Sequence, residues 1–337
     1  MTTLRSLLVV ALLAGSAAAE PITMRMASVA PEGSAWANLL RNWARELDAV
    51  SGGAVKVRWY FSGITGDELE TFEGIEKGHL DGIASGGMIC ERLAPSMKVQ
   101  GLAGVFQSRD EAAYVIERLR PAMEEETRRA GFELLIATGL GPEVLFTRTP
   151  VRSMAELRKM KLWRWSADEP GIAMSAEMGL SVVSTDLDAA GKAYDDKRID
   201  GFIAIPTAAL AFQWSAQAKY ITDLRPGYLT GCVLVTHRAL DRLTAEQQKI
   251  FRSLFAKYDA LFQEMGRRQD DALLGGLFQK QGLKPIPPSE GFRSEFFDAA
   301  RSARERAATK FISRAMLDRV LKMLADYRAE HAEVMTH

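Results

Sequence analysis

The run Lys161-Leu162-Trp163-Arg164-Trp165 sets one guanidinium between two indoles. A guanidinium in a cleft can grip a carboxylate through two parallel charge-assisted bonds. Indoles offer large apolar faces instead. If the run is a strand, alternation sends Trp163 and Trp165 to one side and Arg164 to the other. A ligand is then expected to meet one chemistry or the other. Further residues suited to chemistry are sparse. None of the four His stands in an H-x-x-x-H or C-x-x-C context, which argues against a His/Cys metal site. Cys90 and Cys232 are the only cysteines. Export would permit a bridge between them, but two cysteines do not make a disulfide scaffold, and the expectation is two buried thiols. There is no G-x-S-x-G, P-loop, H-E-x-x-H or strand-following G-x-G-x-x-G. The pairs Asp195-Asp196 and Asp270-Asp271 fall in helical pattern, where adjacent side chains diverge, and they read as solvated faces. Asp67, Glu68 and Glu70 fit the preference of acids for a helix N-terminus. An enzyme is not expected, and no cofactor is called for.

The whole chain bounds the remaining choices. It has 337 residues, 26% charged and 47% hydrophobic, with 43 basic residues against 43 acidic. That balance disfavours a nucleic-acid binder, and no basic run of five marks a membrane patch. Residues 1–19 read as a cleavable secretory signal. Arg5 precedes an apolar run that starts at Leu7, and Ala17-Ala18-Ala19 gives the small-x-small cleavage pattern. The mature chain is therefore expected to be soluble, in the periplasm. No internal repeat period is visible.

Strand and helix patterns alternate along the chain. Strands are predicted over 22–28, 55–59 and 81–85, with helices over 34–51 and 67–77 between them. A charged helix over 110–129 leads to a strand over 132–138, and Gly139-Leu140-Gly141-Pro142 reads as a break. The alternation restarts with strands over 144–148, 160–165, 181–183 and 199–205, then a β-rich apolar stretch over 228–236. Two α/β units with parallel or mixed sheets follow from that order. Thr244-Ala245-Glu246-Gln247 reads as a capping box opening a helix that continues to about residue 281. At 1.5 Å per residue such a helix is about 50 Å long, enough to span both units. A strand and two amphipathic helices close the chain.

Several segments, taken in order, resemble the periplasmic substrate-binding proteins of tripartite ATP-independent (TRAP) transporters. They are Gly78-His79-Leu80-Asp81-Gly82 with Ile83-Ala84-Ser85, Leu93-Ala94-Pro95, Val105-Phe106 through Asp110-Glu111-Ala112, and Pro150-Val151 with the run from Met154 to Leu162. Lys197-Arg198-Ile199-Asp200-Gly201 and the long helix complete the set. The resemblance implies a periplasmic-binding-protein-like α/β fold: two domains hinged around a central cleft and a long domain-spanning helix. Domain I is expected over 20–142 and 229–265, domain II over 143–228 and 282–335, and the helix over 244–281. The resemblance also implies closure on a small ligand and delivery to TRAP-type membrane permease subunits. Its hydrophobic-ligand branch implies a periplasmic TPR-repeat partner.

Departures from the family pattern bear on the ligand. The family's carboxylate-binding arginine follows a "K-I" pair, but Trp163 follows Lys161-Leu162 here and Arg164 comes one place later. A second family arginine falls at Val144, and the family's "D-G-x-E-N-P" becomes Asp200-Gly201-Phe202-Ile203-Ala204-Ile205-Pro206. A cleft without a fixed cation would hold a carboxylate poorly and an apolar ligand well. The expected ligand is therefore apolar or amphipathic. The expected contacts are Trp163, Val144, Phe202, Trp165 and Ile203. Gly86 and Gly87, at a strand end where open α/β sheets bind ligands, are added, with Trp214 and Tyr228 near the interdomain crossing. Trp36 and Trp43 read as core. Asp200 is expected to bind local backbone. The alternative is an organic-acid receptor that uses Arg164. A periplasmic ligand sensor would need the same cleft.

Overall fold

The computed structural model describes residues 20–331, so the expected signal segment lies outside the described residues. Eleven strands form two sheets among them: β1 (Ile22–Ser28), β2 (Val55–Tyr60), β3 (Gly82–Ser85), β4 (Phe132–Pro142), β5 (Val144–Thr147), β6 (Lys161–Trp165), β7 (Ser181–Thr185), β8 (Gly201–Ala204), β9 (Tyr220–Thr222), β10 (Tyr228–Thr236) and β11 (Lys284–Pro285). The first sheet runs β2-β1-β3-β10-β4 and the second β11-β9-β5-β8-β6-β7. Strands β1, β2 and β3 are parallel, and β10 lies antiparallel between β3 and β4. In the second sheet β6, β7 and β8 are parallel and β5 is antiparallel to β8 and β9. The chain crosses between the sheets at Glu143 and returns after β9. The expected break at Gly139 to Pro142 does not occur. Strand β4 continues through it with register shifts against β10, because the glycines bend the strand without ending its ladder.

The two Asp-Gly pairs build the same device in each sheet. Asp81 accepts the Arg25 backbone N–H at 2.7 Å, and Asp200 accepts the Lys161 N–H at 2.9 Å, each reaching the neighbouring parallel strand. A side chain on Gly82 would stand 2.4 Å from the Leu234 carbonyl oxygen, and one on Gly201 would stand 2.5 Å from that of Phe146. Glycine is what lets the antiparallel neighbour lie so close. Asp81 is buried and paired with Arg242 at 2.9 Å. The Asp200 reading as a backbone-binding residue agrees with this geometry.

The capping box at Thr244 and Gln247 starts the long helix Ala245–Ala272, about 42 Å of continuous α-helix at 1.5 Å per residue. Its Phe251 and Phe255 pack on Trp43, the core residue of helix Ala35–Val50, with ring centroids 5.1 and 3.9 Å away. A wide turn over Leu273–Leu277 follows, with Gly276 at φ +140, and Leu273 and Phe278 enter the core under the second sheet. The helix thus serves both lobes. Asp270, expected on a solvated face, is buried and paired with Arg109, because this stretch of the helix packs against the end of β4, where a side chain on Gly141 would stand 2.6 Å from the Asp270 carboxylate. The last helix, Arg314–His331, grouped by sequence with the second domain, packs back on helix Arg109–Arg129 of the first. Arg328 meets Glu111 at 2.7 Å and Tyr327 meets Tyr114 at 4.7 Å.

Cys90 and Cys232 form a disulfide with Cα atoms 5.9 Å apart, which corrects the expectation of two thiols. They are 142 residues apart in the chain. Only the pairing of β10 with β3, which sets Cys232 opposite Ser85, brings the two together.

Candidate ligand-binding cleft

A cleft of about 1060 Å³, counting its open mouth, lies between the two sheets. Ser28, Ser85, Trp165 and Ala204, each at the C-terminal end of its strand, line it. Parallel strands converge there with their side chains and free backbone ends, which is where open α/β sheets take ligands. The first lobe contributes Trp36, Leu40, Leu140, Leu229 and Val233, and the long helix adds Phe262. The second lobe answers with Trp163, Trp165, Leu187, Ile203, Phe212 and Trp214.

The aromatic wall is braced from behind. Trp214 stands 4.8 Å from Trp163 and 5.0 Å from Phe212, centroid to centroid. Phe202 stacks beneath Trp214 at 5.2 Å and on Tyr194 at 5.1 Å. The indole N–H groups are already engaged: Trp163 donates to Thr185 at 2.9 Å and Trp165 to Asp67 at 2.8 Å. Their ring faces are thereby left to present apolar surface.

Of the residues expected at the ligand, Trp163, Trp165, Ile203, Trp214, Gly86 and Arg164 line the cleft. Four do not. Val144 and Phe202 are fully buried behind the wall, because β5 and β8 sit inside the sheet and pack these side chains into its core. Gly87 forms the turn itself, at φ +131, where a side chain would meet the Thr230 carbonyl oxygen at 2.8 Å. Tyr228 lines a separate polar cavity beside Arg109 and Arg120, its hydroxyl donating to the Gln107 carbonyl at 3.2 Å.

Arg164 lines the cleft although strand parity sets it on the face opposite the two indoles. Alternation does hold in β6: Leu162 joins the core on one face and Trp163 and Trp165 that on the other. The register with β7 is unbroken, so no bulge rotates Arg164. The residue reaches the cleft nonetheless, because the cleft wraps the end of the strand and receives side chains from both faces. Trp36, read as core, also lines it.

Glu143 and Asp168 were not foreseen. Arg164 donates to Glu143 at 2.6 Å and to Asp168 at 3.3 Å through the same Nη1. Asp168 also caps helix Glu169–Glu177, accepting the Gly171 N–H at 2.9 Å. Burial works against the Arg164 cation, yet the two carboxylates outweigh it and push its ionisation up. Burial raises Glu143, with Arg164 opposing.

A second group of acids underlies the first-lobe wall. Glu68 is fully buried and accepts the Ser85 hydroxyl at 2.6 Å, the Ile89 N–H at 3.2 Å and the Gly86 N–H. It braces the Ser85-Gly86-Gly87 turn, a role beyond the helix-terminus preference read from sequence. Burial pushes its carboxyl up to about 7 against those three bonds. Glu91 is raised as well, by burial and then by Asp168. Among the described residues no cluster of side chains could hold a metal ion, and no helix is long and apolar enough to cross a membrane.

Two α/β lobes, a cleft off their strand ends and a helix shared by both define a periplasmic-binding-protein-like solute receptor. Residues 26–310 match the DctP family, bacterial extracellular solute-binding protein family 7, and the chain belongs to it. It is 23% identical over 276 residues to a solute-binding protein of Albidiferax ferrireducens, covering 80% of each chain. Two solved structures share the fold. One is DctP7 of Bordetella pertussis, an extracytoplasmic solute receptor binding pyroglutamic acid: TM-score 0.80, 18% identity, 89% of this chain and 99% of that one. The other is a TRAP periplasmic solute-binding protein of Haemophilus influenzae with bound L-gulonate: TM-score 0.82, 16% identity, 90% and 99%. The protein is thus an extracytoplasmic solute receptor of the TRAP type, a class that binds small ligands and works with membrane permease subunits.

Proposed function

We propose that the protein captures an apolar or amphipathic small molecule in the cleft and passes it to a TRAP-type permease, after export through a signal at residues 1–19. The observation that carries this is the wall itself. Trp163, Trp165 and Trp214 face Trp36, Leu140 and Phe262 across the gap. Each 100 Å² of apolar ligand surface buried there contributes about 2.5 kcal/mol. The expected contacts are Trp163, Trp165, Ile203, Trp214 and Gly86. A TPR-repeat partner belongs to this reading as the escort of a poorly soluble cargo.

Mass spectrometry of protein purified from native periplasm without detergent tests it. A stoichiometric lipophilic molecule supports the proposal, and a bound small carboxylate overturns it.

A second reading, an organic-acid receptor anchored by Arg164, has two points in its favour. Arg164 lines the cleft, and the Bordetella and Haemophilus proteins hold acids. Under that reading Arg164→Gln abolishes carboxylate binding. Under the first it leaves cargo class unchanged.

A further inference from the structure

We infer that Glu143 is a built-in counterion that closes the cleft to carboxylates: with Asp168 it occupies Arg164, so the ligand end that meets this wall is uncharged. The inference rests on the apolar-ligand reading for the ligand's body and adds the chemistry of its polar end.

Among the described residues that line the cleft, Arg164 is the one cation, and Glu143 and Asp168 are the only acids. The Arg164 side chain is 9% exposed, and those of Glu143 and Asp168 are 15% and 14% exposed. The three charges therefore lie in a poorly solvated wall and see one another strongly. Two ionised carboxylates on one guanidinium already leave an excess of negative charge. A ligand carboxylate would have to join them or displace one, and like charges side by side in such a place cost several kcal/mol.

The Glu143 backbone and the Asp168 carboxylate are both anchored. Glu143 sits at the crossing between the sheets, its N–H donating to the Gly227 carbonyl at 2.8 Å, which ties the two interlobe connections together. Asp168 is held by its cap bond to Gly171. The Nε of Arg164 is buried and has no partner. Both acids bond Nη1, so the donors left over on Nε and Nη2 lie beside a cluster whose positive charge is already more than matched. That suits an uncharged acceptor, such as a hydroxyl, ester or amide oxygen, which meets the free N–H groups without adding a further negative charge.

Tryptophan-fluorescence titration at pH 8 tests this with two probes sharing one apolar body, 1-decanol and decanoate. Thermal unfolding with added formate is measured in parallel. The wild-type chain is expected to bind decanol at least about tenfold more tightly than decanoate, and to gain no thermal stability from formate. Glu143→Ala removes the nearer acid and leaves Arg164 with Asp168 alone, so the excess negative charge is gone. The variant's preference should swing toward decanoate, and formate should raise its unfolding temperature. The double variant Glu143→Ala with Arg164→Gln should lose both effects. Glu143→Gln serves if Glu143→Ala does not fold. Equal or tighter binding of decanoate by the wild-type chain overturns the inference, as does a folded Glu143 variant that gains no anion binding. If neither decanol nor decanoate binds the wild-type chain, the apolar-ligand reading fails, and the formate comparison alone decides the counterion role.

Discussion

The indole Nε1 of Trp165, at the end of β6, donates to Asp67 on the opposite lobe at 2.8 Å. Asp67 also caps helix Glu68–Glu76 and accepts the Leu187 N–H at 3.4 Å, so it holds two second-lobe groups while anchored in the first. The lobes are therefore latched at the rim of the cleft by a bond to an acid whose pKa burial has raised.

Trp165→Phe breaks that latch and spares the cap. A hydrogen bond to an ionised group contributes about 1.5–3 kcal/mol, so ligand affinity should fall at least about tenfold. The unliganded protein should also expand in small-angle X-ray scattering. An unchanged radius of gyration together with unchanged affinity would remove the latch role.

Phe202→Ala should be costly although Phe202 lies behind the cleft lining. Removing a fully buried phenylalanine costs about 3–5 kcal/mol, and Trp214 and Trp163 lose the ring behind them. Urea unfolding should show the stability loss. Binding should weaken even under conditions where the variant remains folded. A loss below about 1 kcal/mol would mean the wall does not depend on this support.

Replacing Cys90 and Cys232 with serine removes a cross-link closing a loop of 142 residues in sequence separation. The expected cost is about 2–4 kcal/mol. The same drop should appear when the wild-type chain is unfolded under reducing conditions. Equal urea midpoints with and without reductant would contradict the assignment.

Glu68 sets a pH dependence. Its carboxyl is raised from 4.5 to about 7 in the folded chain, with burial as the cause. The folded state then binds its proton more tightly than the unfolded state. The contribution of Glu68 is most favourable below about pH 4.5 and is lost as pH rises toward 7, amounting to roughly 3 kcal/mol. Asp270 titrates in the same direction, also pushed up to about 7 by burial. Glu68→Gln should flatten part of the fall in unfolding temperature between pH 4.5 and 7. An identical slope in the variant would refute the assignment.

The sequence alone carried much of the architecture. Alternation of strand and helix patterns, the Thr244 capping box and the glycine stops locate elements because those signals are local: periodicity, caps and left-handed turns act within a few residues. The Asp-Gly pairs were legible as motifs for the same reason. Trp163, Trp165 and Trp214 could be proposed because the resemblance sets Trp163 at the family's carboxylate-binding position, alternation puts Trp165 on the same face, and Trp214 falls near the expected interdomain crossing.

What depended on tertiary structure was every relationship across long sequence separation. The Cys90–Cys232 bridge needed β10 to return beside β3. The burial of Asp270 needed the long helix to pack against Arg109 and the end of β4. Whether Arg164 reaches the cleft stayed open in the sequence, because strand parity fixes which face a side chain leaves from, not which cavity lies beyond the strand's end. Glu143 gave no local signal at all: its meaning arises only where the crossing between the sheets brings it to the guanidinium of Arg164, 2.6 Å away. Local pattern determines where strands and helices form, and the packing of the two sheets decides which charges meet in the space between them.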